Sequence, residues 1–254
     1  MVLTFEGAPL IGYVLASIRV VAWLLIVPPF STRAVPMLAK TLLALGLALA
    51  VAPSVAEGAA PLDPLGLMLV AVQEALIGAT MGFITYMVFA AVQAAGDLID
   101  VFGGFSLAAA FDPLNQTMNS VHGKLFSMLA TMLLFASSAH LLVIGGLLRS
   151  FDEMPVGTLW QPDNAIDVVS TAFGVFFAAA VQIALPLIAV LFVADLGLAL
   201  LTRVAPQLNA IAIMFPAKMG LTMLIVGLSF AVLPDAISRL LEVISDATRA
   251  LGAL

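Results

Sequence analysis

Residues 166–201 read IDVVSTAFGVFFAAAVQIALPLIAVLFVADLGLALL, a largely apolar run whose charged residues are Asp167 and Asp195 and whose one proline is Pro186. A bilayer crossing needs roughly 20 such residues, so this run is too long for one perpendicular span. It reads as a membrane helix that packs on protein for part of its length, with a kink expected at Pro186. Five further apolar runs lie outward from it: Pro9–Pro28, Pro36–Val51, Leu65–Ala95, Leu125–Leu148 and Ala210–Leu233. The second is short and the third long, so their lengths also depart from an ordinary lipid-facing span.

The whole chain carries the same signal. Hydrophobic residues are 63% of its 254 positions and charged residues 9%, with a mean hydropathy of +1.19. Soluble domains are about a quarter charged. The reading is an all-α polytopic membrane protein of about six long, kinked hydrophobic helices plus a C-terminal amphipathic helix. The net charge of −6 and the scattered nine basic residues exclude a nucleic-acid surface. With no cysteine, disulfides, thiolate catalysis and thiolate metal sites are excluded too.

Local punctuation sets the boundaries. The tandem Pro28-Pro29 ends the first run. Asp63-Pro64 and Asp112-Pro113 each read as an N-cap followed by proline at the first helical position, and Asp163 or Asn164 offers a cap for the fifth run. Glu6 precedes the first run with no basic residue, unlike a cleaved signal peptide, so that helix is expected to stay. After Pro234, Ile237, Leu240, Leu241, Ile244, Ala247 and Leu251 recur at helical spacing with charges opposite, which predicts the amphipathic tail helix. Arg33, Lys40, Lys124, Arg203 and Lys218 fall on one side of the membrane and Arg149, Arg239 and Arg249 on the other, placing both termini outside the cytoplasm. The polar stretch RSFDEMPVGTLWQPDNAID separates four helices from two.

Few residues carry chemistry. Glu74 sits in the third run, with Gly78 and Gly82 following as a GxxxG that lets another helix approach closely. A carboxylate there must point at protein rather than lipid, as an ion relay or as an interhelical hydrogen bond. Arg19, midway along the first run, needs an acidic partner unless it snorkels; no residue is singled out as that partner. Asp195 and Arg203 lie two turns apart on one face, too far to assume a pair, and Lys218 follows Pro216. A structural polar network, a transport site and partner docking all fit them. His122 and His140 lack any metal-binding spacing and read as hydrogen-bonding or helix-end residues. The acidic GDLID at 96–100 precedes Gly103-Gly104 with apolar residues on both sides, unlike a solvated connection. Such a loop either simply joins helices or packs into a constriction and still moves.

At AVQAAGDLID (91–100), at LFASSAHLLVIGGLLRSFDEMPVG (134–157), at ALPLIAVLFVADLGLALLTRVAPQLNAIAIMFPAKMG (184–220) and at PPFSTRAVPMLAKTLLALGLAL (28–49), the chain resembles the FliR/SctT family of type III secretion export-gate proteins. The likeness covers nearly the whole chain. One departure is Met214, where the family pattern has a glycine. The resemblance implies a non-catalytic structural subunit of the flagellar protein export gate, needing no cofactor. It implies assembly with FliP-like and FliQ-like subunits, a FlhB-like protein as a further partner, and unfolded exported proteins as cargo. It places the chain in the bacterial inner membrane, at the flagellar basal body. Residues 1–160 would form a FliP-like four-helix part and 161–254 a FliQ-like hairpin with the tail helix, together one membrane domain. The family's plug loop maps to Phe102, Gly103, Gly104, Phe105, Asp112 and Pro113. Subunit packing would fall to Glu74, Gly78, Gly82, Arg203, Pro206, Gln207, Asn209 and Lys218. Two rivals remain: an SctT-type subunit of a virulence injectisome, and an ion-coupled transporter using Glu74, Asp195 and Lys218. The transporter would need inverted halves with paired broken helices, and the sequence has no such symmetry.

Overall fold

The computed structural model describes residues 7–33, 35–56, 63–106, 120–157, 162–205, 210–230, 233–240 and 242. Among these the regular structure is all helical: α1 Gly7–Ile26, α2 Met37–Ala56, α3 Pro64–Gly103, α4 Val121–Ala136, α5 Ala139–Glu153, α6 Pro162–Val204 and α7 Ala210–Ser229, then a short α8, Leu233–Leu240. By length and composition three of these helices can cross a membrane, or up to five spans if each bent pair counts as one.

Several boundaries follow from residues already named. α3 opens at Pro64, and Asp63 Oδ1 accepts the Gly66 N–H at 3.2 Å, a side-chain N-cap. α6 starts at Pro162, ahead of the expected cap at Asp163 or Asn164, with proline at its first position where no intrahelical donor is needed. Pro186 and Pro216 lie inside α6 and α7 without ending them. In α8, Leu233, Ile237 and Leu240 are buried while Asp235 and Arg239 are exposed, the expected amphipathic register.

Two expectations change. The fourth apolar run is not one helix: Ser137 and Ser138 part α4 from α5, with Ser138 in the left-handed region at φ 58°. And GDLID belongs to α3, which continues to Gly103, so Phe102 and Gly103 end a helix rather than lie in a loop. Gly104 then turns at φ 85° and Phe105-Ser106 are again helical. Asp112, Pro113, Pro206, Gln207 and Asn209 lie outside the described residues.

The chain divides into two compact units. The first gathers α1, α2, α3 up to Met87, α5 and the start of α6. Its core is built where α1 lies against α3. A Cβ at Gly78 would overlap the Arg19 backbone carbonyl, and one at Gly82 would come within 3.1 Å of Ile26 Cβ and 3.2 Å of the Trp23 carbonyl. The two glycines therefore admit α1 to backbone contact, and Val20, Trp23, Leu24, Ile77, Met81 and Ile84 close around it. Tyr13 Oη donates to the Leu45 carbonyl at 3.1 Å and ties α2 to the same helix.

The second unit holds the rest of α3, α4, most of α6, α7 and α8. Here α3 meets α4 at glycines again: a Cβ at Gly96 would lie 2.5 Å from the His122 carbonyl, and one at Gly123 would run into the Asp97 carboxylate.

Gly78→Ala is expected to destabilise the chain by about 1–3 kcal/mol, because the added methyl meets backbone that cannot move aside. Gly46→Ala, on an open face of α2 with nothing within 4 Å, should be neutral or stabilising by up to about 1 kcal/mol. Thermal unfolding in detergent, followed by tryptophan fluorescence, checks the pair. Equal effects at the two positions would contradict the close approach of α1 and α3.

Candidate functional site

Among the described residues, two polar clusters interrupt the apolar packing, one in each unit. The first centres on Arg19, whose side chain is fully buried, as is that of Glu74. Arg19 Nε donates to Glu74 Oε2 at 2.6 Å. Nη1 donates to the Ser150 carbonyl at 3.0 Å and Nη2 to the Met154 carbonyl at 2.9 Å. The guanidinium also lies 4.2 Å from the centre of the Phe151 ring. A planar fork of donors on α1 thus reaches two further helices at once. It neutralises the α3 carboxylate and satisfies carbonyls at the end of α5, where a helix leaves its last acceptors unpaired and a cation is favourable. Glu74 Oε1 has no hydrogen-bond partner among the described residues.

Glu74, Gly78 and Gly82, expected to pack against another subunit, face α1 within this chain. The partner of Arg19 was readable in principle: Glu74 is the lone acid within the third apolar run, and opposite charges at that depth must find each other.

The second cluster surrounds the end of α3. Asp100 Oδ2 accepts Ser120 Oγ–H at 2.6 Å and the His122 backbone N–H at 3.1 Å. Asp100 Oδ1 pairs with His122 Nδ1. Ser120 Oγ in turn accepts the Gly123 N–H at 2.8 Å, so the exposed donors at the start of α4 are shared between its own cap and a carboxylate from α3. The His122 ring also meets Phe105 edge-on, with centroids 4.8 Å apart and planes at 81°.

On its other side the joint faces α7. A Cβ at Gly103 would lie 2.8 Å from Thr222 Oγ1, and one at Gly104 would touch the Phe215 ring and the stem of Lys218. Lys218 Nζ donates to Asp195 Oδ2 of α6 at 2.7 Å. Lys218, which the sequence reading kept apart from the glycine joint, therefore lies against Gly104. Arg203 stays exposed in the last turn of α6, where a cation suits the helix end. Phe102 is also exposed. His122 sits at a helix start and pairs through hydrogen bonds, as its reading expected, whereas sequence reasoning missed the roles of Asp100 and Ser120. The signal was present: an acid ending GDLID and a serine opening a helix both seek backbone donors.

Neither cluster has the form of an active site. Among the described residues no three His, Asp or Glu side chains gather to hold a metal ion. Every charged group named here is matched to an opposite charge, a helix end or backbone.

This pattern of apolar helices, stapled internally by buried polar pairs, agrees with the sequence comparisons. A family model described as bacterial export proteins, family 1, matches residues 10–244. The chain belongs to this family. Among the similar proteins, the flagellar biosynthetic protein FliR of Escherichia coli strain K12 is 35% identical over 192 residues, covering 76% of this chain and 74% of that protein. FliR of Bacillus subtilis strain 168 is 30% identical over 248 residues, 95% and 96% of the two chains. The Yop proteins translocation protein T of Yersinia pestis is 29% identical over 205 residues, 79% and 78%. Export-family membership and the apolar helices make this a multi-pass membrane protein.

Removing one member of the buried pair tests the first cluster. Arg19→Leu leaves the Glu74 charge stranded and is expected to cost about 3–5 kcal/mol. Arg19→Leu with Glu74→Leu should recover part of that loss, measured as the unfolding temperature in detergent. A double variant no more stable than Arg19→Leu would contradict the pairing.

Proposed function

We propose that this chain is a structural subunit of the flagellar type III protein export gate, in a helical assembly with FliP-like and FliQ-like subunits. A FlhB-like protein is its further neighbour and unfolded flagellar proteins are the cargo. On this reading it sits in the inner membrane at the basal body and performs no covalent chemistry. Residues 1–160 act as the FliP-like part of that assembly and 161–254 as the FliQ-like hairpin with its tail.

The observation that carries the proposal is α6. Its apolar window, Ile166–Val204, has 39 residues, of which only Ala172, Ala180, Ala184, Leu187 and Leu191 are buried within the chain. At about 1.5 Å per residue this window is about 58 Å long, against about 30 Å of hydrocarbon. Tilting by about 40° lengthens the lipid path only to about 39 Å. About a dozen residues of this window, exposed apolar ones among them, therefore lie beyond the reach of acyl chains. Water is a poor neighbour for them, and protein from other subunits is the remaining cover.

The gate itself is assigned to the glycine joint. Gly103 fits against Thr222 only because it has no side chain, and Gly104 holds a positive φ that favours glycine. With Phe102 and Phe105 on either side, the proposed plug runs from this joint to Asp112 and Pro113. Obstruction is steric and apolar, and an arriving polypeptide displaces it. Lys218 and Arg203, with Pro206, Gln207 and Asn209, are proposed to pack at the subunit boundary.

A second reading is the equivalent subunit of an injectisome, favoured by the likeness to the Yersinia translocation protein T. Neighbouring flagellar or injectisome genes separate the two. The transporter reading loses one of its two acids: Glu74 is fully buried and paired with Arg19.

Detergent extraction and affinity purification of the tagged chain should bring down FliP-like and FliQ-like proteins in fixed ratio; recovery of a stable lone monomer would contradict the proposal. Gly104→Asp puts a charged side chain at a left-handed position, with about 1–2 kcal/mol of backbone strain. It is expected to make the assembled gate leak ions, and an unchanged membrane conductance would count against the plug.

A further inference from the structure

We propose that His122 is the latch of the glycine joint, a positioning residue that sets the closed state by holding the chain on both sides of Gly103-Gly104. The inference rests on the reading of that joint as a gate and adds how it is held and released.

One residue at the start of α4 touches the chain before the joint and after it. Before it, Asp100 receives the His122 backbone N–H and the Ser120 hydroxyl and pairs with the imidazole. After it, Phe105 rests its ring against the same imidazole. The two ties differ in kind. The Asp100 tie is a carboxylate with several hydrogen bonds in an apolar setting, reinforced by backbone contact at Gly96. The Phe105 tie is a single aromatic contact, the weaker interaction. Asp97, from the same turn of α3, faces Gly123 and leaves the imidazole to Asp100.

Between the ties the backbone has one soft point. Gly103 is wedged against Thr222, whereas Gly104 contacts Phe215 and Lys218 at ordinary van der Waals distances. Rotation about Gly104 therefore swings Phe105 away from His122 while α3, up to Gly103, stays in place. The latch opens on its Phe105 side and is anchored on its Asp100 side.

The chain has no cysteine, so Phe105→Cys with His122→Cys places one oxidisable pair across the latch. In the assembled gate in cells, reduced thiols should give a several-fold rise in resting ion leak. Oxidation should close the leak and stop export, and dithiothreitol should restore export. Normal export through the oxidised chain would overturn the proposal. Two single variants separate the ties. His122→Phe keeps the ring for Phe105 and should stay close to wild-type tightness. His122→Asn keeps a donor for Asp100 without the ring and should leak. An Asn variant as tight as wild type would overturn the latch. Gly104→Asp serves as reference: if it too is tight, the gate reading fails; if it leaks while His122→Asn does not, only the latch fails.

Discussion

Hydrocarbon offers no hydrogen bonds, and the structure depends on the way the chain answers its own charges under that constraint. The Arg19–Glu74 pair is the clearest case. An arginine in the middle of α1 and a glutamate in α3 are each very unfavourable alone in an apolar setting. Together, with the end of α5 as third partner, they fix the register of three helices. Well-packed hydrophobic residues can often replace a buried ion pair without loss of stability. What the pair adds is a unique fit: sliding α1 by one turn would strand a guanidinium, a carboxylate and two carbonyls together.

The same logic operates in the second unit. Asp100 caps α4 from a neighbouring helix, and Lys218 meets Asp195 across α6 and α7. Glycines make both arrangements possible, because only bare backbone lets α1 reach α3 at Gly78 and α4 reach α3 at Gly96. Close approach supplies the attraction between helices that the hydrophobic effect does not provide in lipid. The proposed moving part is then small: one glycine with positive φ, set between contacts of unequal strength.

Much of this was legible in the sequence. Apolar periodicity and length gave the helices, Asp63-Pro64 gave the start of α3, GxxxG announced a close contact, and alternation of charge and apolar residues gave the face of α8. Pairings across long sequence separations were not legible, since periodicity places a residue on a face without naming its neighbour. The contact at Gly78 and Gly82 was foreseen, but its partner proved to be α1. The break at Ser137-Ser138 carries no proline or glycine, and serine in a left-handed conformation leaves no compositional mark. GDLID looked like an interruption because charge in an apolar run suggests a loop; its last acid is instead matched at the start of α4 while the helix runs on.

What the chain does not answer internally is the apolar length of α6, and this surplus links the fold to assembly. Because there is no native cysteine, single cysteines placed along the exposed face of α6, from Phe173 through Val204, can be labelled with a water-soluble thiol reagent in the isolated chain after transfer to bilayers and in the assembled gate. In the isolated chain one stretch about a bilayer thick should resist labelling, while positions beyond it react. In the assembled gate those reactive positions should become protected. A face that labels identically in both states would contradict the claim that sister subunits cover what lipid cannot.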